Sequence, residues 1–166
     1  MRRKMVILGF LLALSLILSY IESLLPLTVG IPGMKLGLPN LVVVLLLYSC
    51  GLRDALAVNL LRILLSGFLF GNLSAILYAL SGAVCSFAAM LLLQKTGRFS
   101  MTGISIAGGV FHNIGQIITA MLVVENLSPV FYLPFLLAAG ALTGFLIGLT
   151  GSRVRPGIRR LFQDER

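Results

Sequence analysis

Long apolar runs separated by short polar breaks organise this chain. The breaks contain proline, glycine or charged residues and fall at 26–35, 51–54, 67–72, 94–98 and 125–129. A helix needs roughly 20 apolar residues to cross about 30 Å of hydrocarbon. The pattern therefore predicts six apolar helices, of which the second and third are short for full spans: 5–25, 36–50, 55–66, 73–93, 101–124 and 130–149.

Composition indicates that these helices lie in a membrane. The chain has 166 residues, of which 58% are hydrophobic and 11% are charged. Its mean hydropathy of +1.06 is far above that of ordinary soluble domains. We predict an all-α integral membrane protein with a six-helix transmembrane bundle, a single membrane domain over 1–166, and a basic cytoplasmic tail over 150–166.

The basic residues predict the orientation of the bundle. Eleven of the 13 Lys and Arg lie at the N-terminus, at alternate breaks or in the tail, whereas Lys35 lies at an opposite break and Arg62 lies inside a helix. Because cytoplasmic loops carry the excess of Lys and Arg, we expect both termini in the cytoplasm. The expected location is the bacterial cytoplasmic membrane, with multi-pass insertion. The net charge of +8 is therefore interpreted as topology and lipid contact, with no nucleic acid as partner.

The first helix presents two different faces. Gly9 and Ala13 lie on one face, and Ser15, Ser19 and Glu22 lie roughly opposite. Small residues four positions apart let another helix approach closely, and that helix can belong to this protein or to a partner. The basic and apolar N-terminus also resembles a signal peptide, but no small-residue cleavage site follows, so we expect a retained helix.

The first outer loop, LPLTVGIPGMKLGLPN, contains too many prolines and glycines to be a regular helix. In one interpretation it is a lid over a binding cavity, in which Lys35 offers a cation to an anionic ligand and Asn40 begins the next helix. In the other it is a plain connector whose Lys35 reaches the lipid headgroups.

Asn59, Arg62 and Ser66 share one face of the third segment, and Arg62 lies near the middle of the membrane. A guanidinium at that depth costs several kcal/mol unless it is paired. Its partner is either Glu22, in a structural ion pair, or an anionic ligand, and the sequence leaves both open.

The motif FHNIGQ, at 111–116, places three polar side chains inside the fifth apolar segment. It belongs to a stripe of polar and small residues that consists of Ser105, Gly108, His112, Gln116 and Thr119. The stripe predicts a helix face turned to the protein interior at about the depth of Arg62. Either a polar clamp between helices or a cavity at the membrane midplane explains it.

The last segment carries Gly140, Gly144 and Gly148 at the spacing of close helix packing. The tail that follows is basic and is expected to lie on anionic lipid.

Sequence motifs of catalysis are missing from the chain. It has no HExxH, P-loop, GxSxG or paired-aspartate motif. We predict no enzymatic activity, no metal site and no cofactor.

Four stretches of the chain carry a family resemblance: IESLLPL, GMKLGLPN, LLRILLSG and SMTGISIAGGVFHNIGQ. They closely resemble the membrane family named Gx transporter, also labelled heptaprenyl diphosphate synthase component I, and the resemblance covers residues 5–150. That family is similar to the substrate-binding S components of energy-coupling factor (ECF) transporters, which have six helices, cytoplasmic termini and a pocket near the outer face.

The resemblance implies a substrate-binding subunit of an uptake transporter for a small anionic or amphipathic molecule, such as a vitamin or an isoprenoid or quinone precursor. It implies that Gly9 and Ala13 dock a coupling transmembrane subunit that works with ATP-binding subunits. The substrate-binding residues implied in this way are Lys35, Asn40, Arg62, His112, Asn113 and Gln116. We also predict Glu22 and Asn59 as substrate-binding residues.

Other functions stay open beside transport. Members of the family are encoded beside flavin- and quinone-linked proteins, which favours a membrane subunit of an electron-transfer complex. The family label favours an accessory component of heptaprenyl diphosphate synthase. A purely structural anchor for a membrane complex is the remaining alternative.

Overall fold

The computed structural model describes residues 2–24 and 37–163, and within them it contains helices and no strand. The six α-helices are α1 (Arg2–Leu24), α2 (Asn40–Ser49), α3 (Leu52–Phe70), α4 (Leu73–Thr96), α5 (Met101–Val124) and α6 (Leu133–Gln163). A short 3-10 helix, Ser128–Tyr132, precedes α6. The prediction of an all-α protein with six helices is confirmed.

Four stretches are long and apolar enough to cross a membrane: Arg3–Leu24, Leu73–Thr96, Met101–Val124 and Ser128–Phe162. This supports a membrane protein. The second predicted segment is too short to cross, since α2 has 10 residues and is about 15 Å long. The third is longer than predicted, because α3 continues to Phe70.

Helix α2 lies within the bundle beside the second half of α6. Leu41 and Leu45 lie close to Gly151, and the Arg155 guanidinium lies 5.2 Å from the centre of the Tyr48 ring. Six consecutive residues of α2 are buried, from 42 to 47. This buried middle section anchors α2 in the bundle, with its first residue, Asn40, half-buried.

The predicted end of the last segment, at 149, is wrong for the helix. Helix α6 continues through Pro156 to Gln163, so most of the basic tail is helical. Ile158 and Phe162 pack against the main hydrophobic core, while Arg159 and Arg160 are exposed. The hydropathy falls at 149 because charges begin there, but an amphipathic helix continues beyond that point.

Glycines bring α5 and α6 into close contact, as predicted for the last segment. A Cβ added at Gly144 would lie 2.6 Å from the carbonyl oxygen of Ser105, and one at Gly148 would lie 2.6 Å from the Cα of Thr102. A Cβ at Gly140 would meet the backbone of Gly109. Close backbone packing of this kind drives the association of helices in a membrane. The hydrophobic effect does not favour helix–helix contact there, because lipid tails are as apolar as the helix surfaces.

Candidate functional site

The inward face of α1 is polar, as predicted. Ser15, Ser19 and Glu22 are buried. The Glu22 carboxylate accepts hydrogen bonds from the backbone N–H groups of Gly37 and, at 3.4 Å, of Leu38. These are backbone donors just before α2, so the carboxylate also has a favourable position relative to the α2 dipole. Glu22 therefore holds the start of α2 against the end of α1, a contact that the sequence does not reveal.

The backbone conformation just before α2 requires a glycine at position 37. Its φ is +91°, and a Cβ there would lie 2.7 Å from Asn40 Nδ2 and 3.7 Å from His112 Cδ2. Any side chain would strain the backbone and push on Asn40. Gly37 thus lets the chain turn into α2 directly beside two of the predicted site residues.

Asn40 begins α2 and is half-buried. It lines an internal cavity of about 10 Å³ together with Ser86, Ser105 and Thr143. That volume is at the lower limit for holding one water molecule. Asn40 and His112 both flank Gly37, so the structure brings these two predicted residues together.

Arg62 is a buried cation with incomplete hydrogen bonding. Its side chain is 5% exposed; Nη2 donates a hydrogen bond to Asn59 Oδ1, and Nε has no partner within the described part of the chain. Glu22 acts on this charge electrostatically, but the two side chains form no direct ion pair within the described part of the chain. A buried donor without an acceptor is costly, so Arg62 retains capacity to bind an acceptor.

His112 and Gln116 are buried on α5, with exposures of 3% and 1%. The Nδ1 atom of His112 and the Oε1 atom of Gln116 have no hydrogen-bond partner among the described residues. The imidazole packs on Gly82 of α4, where a Cβ would lie 2.7 Å from Nδ1. The charge of Arg62 acts on His112. We call Asn40, Asn59, Arg62, His112 and Gln116 the polar cluster.

Asn113, by contrast, belongs to a clamp between helices. It is fully buried, and its Nδ2 donates a 2.6 Å hydrogen bond to the carbonyl oxygen of Leu136 on α6. It therefore faces α6, away from Gly82 and His112. The polar clamp that the sequence left as one explanation of FHNIGQ applies to Asn113. His112 lies against the backbone of Gly82 on α4, and the Oε1 atom of Gln116 has no partner among the described residues.

Lys35 and most of the loop predicted as a lid lie outside the described residues, which resume at Gly37.

Gly9 and Ala13 lie on the outside of the bundle. Both are exposed, and a Cβ added at Gly9 would have nothing within 4 Å. Together with Val6 and Phe10 they line a shallow groove of about 330 Å³. Within residues 2–24 and 37–163 nothing packs on Gly9, so the small residues leave this face open to another helix.

A second groove, between α3 and α4, was missed by the sequence reasoning. Its volume is about 330 Å³, and Asn59 contributes to its lining. The groove depends on how far apart two consecutive helices lie, and hydropathy carries no signal for that distance.

Comparison with known proteins identifies the family of the chain. Residues 11–154 match the model of the family described as heptaprenyl diphosphate synthase component I. Neither the search of curated proteins nor that of solved structures finds a match. The match covers most of the 166 residues, and the chain belongs to this family.

Proposed function

We propose that this member of the heptaprenyl diphosphate synthase component I family is the substrate-binding membrane subunit of an uptake transporter, comparable to an ECF S component. Its substrate is a small anionic or amphipathic molecule. The observation that carries the proposal is Arg62, a guanidinium buried within the bundle whose Nε has no partner.

The polar cluster has the chemistry of an anion site. Arg62 supplies a permanent charge and a donor at Nε, and charge-assisted hydrogen bonds to a carboxylate or phosphate are about twice as strong as neutral ones. His112 and Gln116 supply further unpartnered polar atoms from α5. An anion bound there completes the hydrogen bonding of Arg62 and is oriented by the α5 side chains.

The start of α2 provides the link to a lid. The carboxylate of Glu22 holds Gly37 and Leu38, which directly follow the loop that we propose as the lid. Gly37 in turn lies beside Asn40 and His112. The Glu22 contact therefore joins the end of α1 to the short segment of backbone that lies beside the polar cluster.

The outer groove of α1 supports docking to a coupling subunit. Gly9 and Ala13 leave room for a helix to approach α1 closely, and no part of the chain that the structure describes fills that room. In the proposal, ATP-binding subunits act through the docked coupling subunit to release the substrate inward.

Mass spectrometry of small molecules that co-purify with the gently solubilised protein tests the binding function. We expect one anionic species in the wild type, and its loss in Arg62→Met and in His112→Ala. Arg53→Met is the matched control, because Arg53 is exposed, and it should retain the species. A folded Arg62→Met protein that keeps the same ligand would contradict the anchor role. A bound quinone or flavin would support electron transfer instead.

The family match favours one second function, an accessory role in prenyl diphosphate synthesis. The family is described as one component of a synthase, which implies at least one partner component. A prenyl diphosphate bound at Arg62 is compatible with both functions. Co-purification with a prenyltransferase rather than with ATP-binding subunits would favour the accessory role.

A further inference from the structure

The groove between α3 and α4 is apolar and opens to the outside of the bundle. Its volume of about 330 Å³ is within the range of roughly 300–1,000 Å³ that is usual for small-molecule sites. Most of its wall consists of Leu56, Leu60, Ile63, Leu80, Val84 and Phe87. Helix α3 packs less extensively against α4 than α4 packs against α5, and this leaves space between the two helices.

Asn59 connects this groove with the buried cation. It lines the groove, is 4% exposed, and accepts the hydrogen bond from Arg62 Nη2. One amide side chain therefore separates an apolar, laterally open groove from a guanidinium whose Nε is unpartnered. A polar ligand group at Arg62 and an apolar group in the groove would lie side by side.

We propose that the groove binds the hydrocarbon chain of the substrate, and that the substrate is an amphipathic anion with its head at Arg62 and its chain between α3 and α4. This inference rests on the proposed function and specifies its substrate class. Charge complementarity selects the occupant, because Asn59 in the groove wall is hydrogen-bonded to a buried guanidinium whose Nε has no acceptor among the described residues. A short hydrophilic anion would leave the groove without a part in binding.

The same chemistry describes a free amphipathic anion and a membrane phospholipid, and the experiment separates them. Wild-type protein in nanodiscs is titrated with butyl and octyl phosphate, and in parallel with pentanoate and nonanoate, with empty nanodiscs subtracted. Lipids retained by the protein are identified by mass spectrometry before and after saturation with octyl phosphate.

Two groove-filling variants and one control test where the hydrocarbon chain of the ligand binds, and a fourth variant tests where its head binds. Ala57→Phe and Ala83→Phe fill the groove from α3 and from α4, and neither residue belongs to the polar cluster. Ala88→Phe is the matched control, because Ala88 is exposed on α4 and lies outside the groove lining. Arg62→Met removes the anchor for the head.

We expect wild type and Ala88→Phe to bind octyl phosphate at least about tenfold more tightly than butyl phosphate, since each buried methylene contributes up to about fourfold. Ala57→Phe and Ala83→Phe should bring this ratio to about one while butyl phosphate still binds. Arg62→Met should abolish binding of both, and the carboxylate pair should behave in parallel if the head is a carboxylate.

Two results would overturn the groove assignment and leave the proposed function intact. The first is a ratio near one in wild type, with binding that still depends on Arg62. The second is a ratio that persists in both groove-filling variants. A phospholipid that octyl phosphate does not displace would assign the groove to membrane lipid and overturn it as well. If no anion binds to wild type, the proposed function fails, and the groove assignment fails with it.

Discussion

At the scale of single residues, neighbouring polar side chains of FHNIGQ have different contacts. His112 and Gln116 have unpartnered buried atoms, whereas Asn113 donates a hydrogen bond to Leu136 of α6. Consecutive residues of an α-helix point about 100° apart, so Asn113 is directed to a different neighbour from His112. Membership in the motif therefore does not predict which group a side chain contacts. The direction in which the side chain points from the helix axis does.

This difference predicts opposite effects for two alanine variants. Asn113→Ala removes a hydrogen bond between helices and should lower the free energy of unfolding by about 1 kcal/mol while ligand binding is kept. Gln116→Ala removes no recorded hydrogen bond and should weaken ligand binding with little change in stability. Thermal unfolding in detergent and quantification of the co-purified ligand measure both. Loss of ligand from a fully stable Asn113→Ala protein would place Asn113 in the binding site.

The residue-scale predictions succeed for burial and fall short for partners. Helical periodicity predicted that Ser15, Ser19 and Glu22 face inward, and all three are buried. The carboxylate contact with Gly37 joins residues 15 positions apart across a proline- and glycine-rich loop. Such a contact depends on the path of the loop, which no periodic pattern specifies.

At the scale of elements, hydropathy predicted the existence of every helix and misplaced several ends. Helix α3 continues to Phe70 and α6 to Gln163, beyond the predicted 66 and 149. Hydropathy locates the boundary of the apolar environment, whereas a helix ends where its hydrogen bonding ends. Ile158 and Phe162 keep the end of α6 attached to the core after the apolar run has stopped.

Gly9 and Gly144 each belong to a motif of small residues spaced four positions apart, but they should respond differently to the same substitution. Gly144→Ile should separate α5 from α6 and cost several kcal/mol, because even a Cβ would lie 2.6 Å from a backbone oxygen. Gly9→Ile should leave the unfolding temperature unchanged, since its surroundings are open. If α1 docks a coupling subunit, Gly9→Ile should abolish co-purification of that subunit. A Gly9→Ile protein that retains its partner would show that docking uses another face.

At the scale of the whole molecule, the proposed site lies between helices that pack extensively and a helix that packs less extensively. Helix α5 packs extensively on both α4 and α6, whereas α3 is held more loosely against α4. Arg62 and Asn59 come from α3, and His112 and Gln116 come from the tightly packed α5. A site between a rigid and a looser group of helices can admit a ligand without disturbing the glycine contacts of α5 and α6.

The structure also places the basic ends of several helices together. Lys4 Nζ lies 2.8 Å from Asp54 Oδ2, which joins the starts of α1 and α3. Tyr48 and Arg155 meet at the end of α2, and four residues after Tyr48 the chain enters α3. These contacts put the N-terminus and the basic part of α6 at one end of the bundle. By the positive-inside rule, we expect that end to face the cytoplasm.

Cysteine labelling in intact cells tests this orientation. In a background without Cys50 and Cys85, cysteine variants at Ser23 and Ser128 should react with a membrane-impermeant maleimide, and one at Ser152 should react only after the membrane is opened. All three serines are exposed, so access to the reagent depends on the side of the membrane. The opposite labelling pattern would put the loop after α1 in the cytoplasm, and a substrate reaching Arg62 from that side could not be one that the protein takes up.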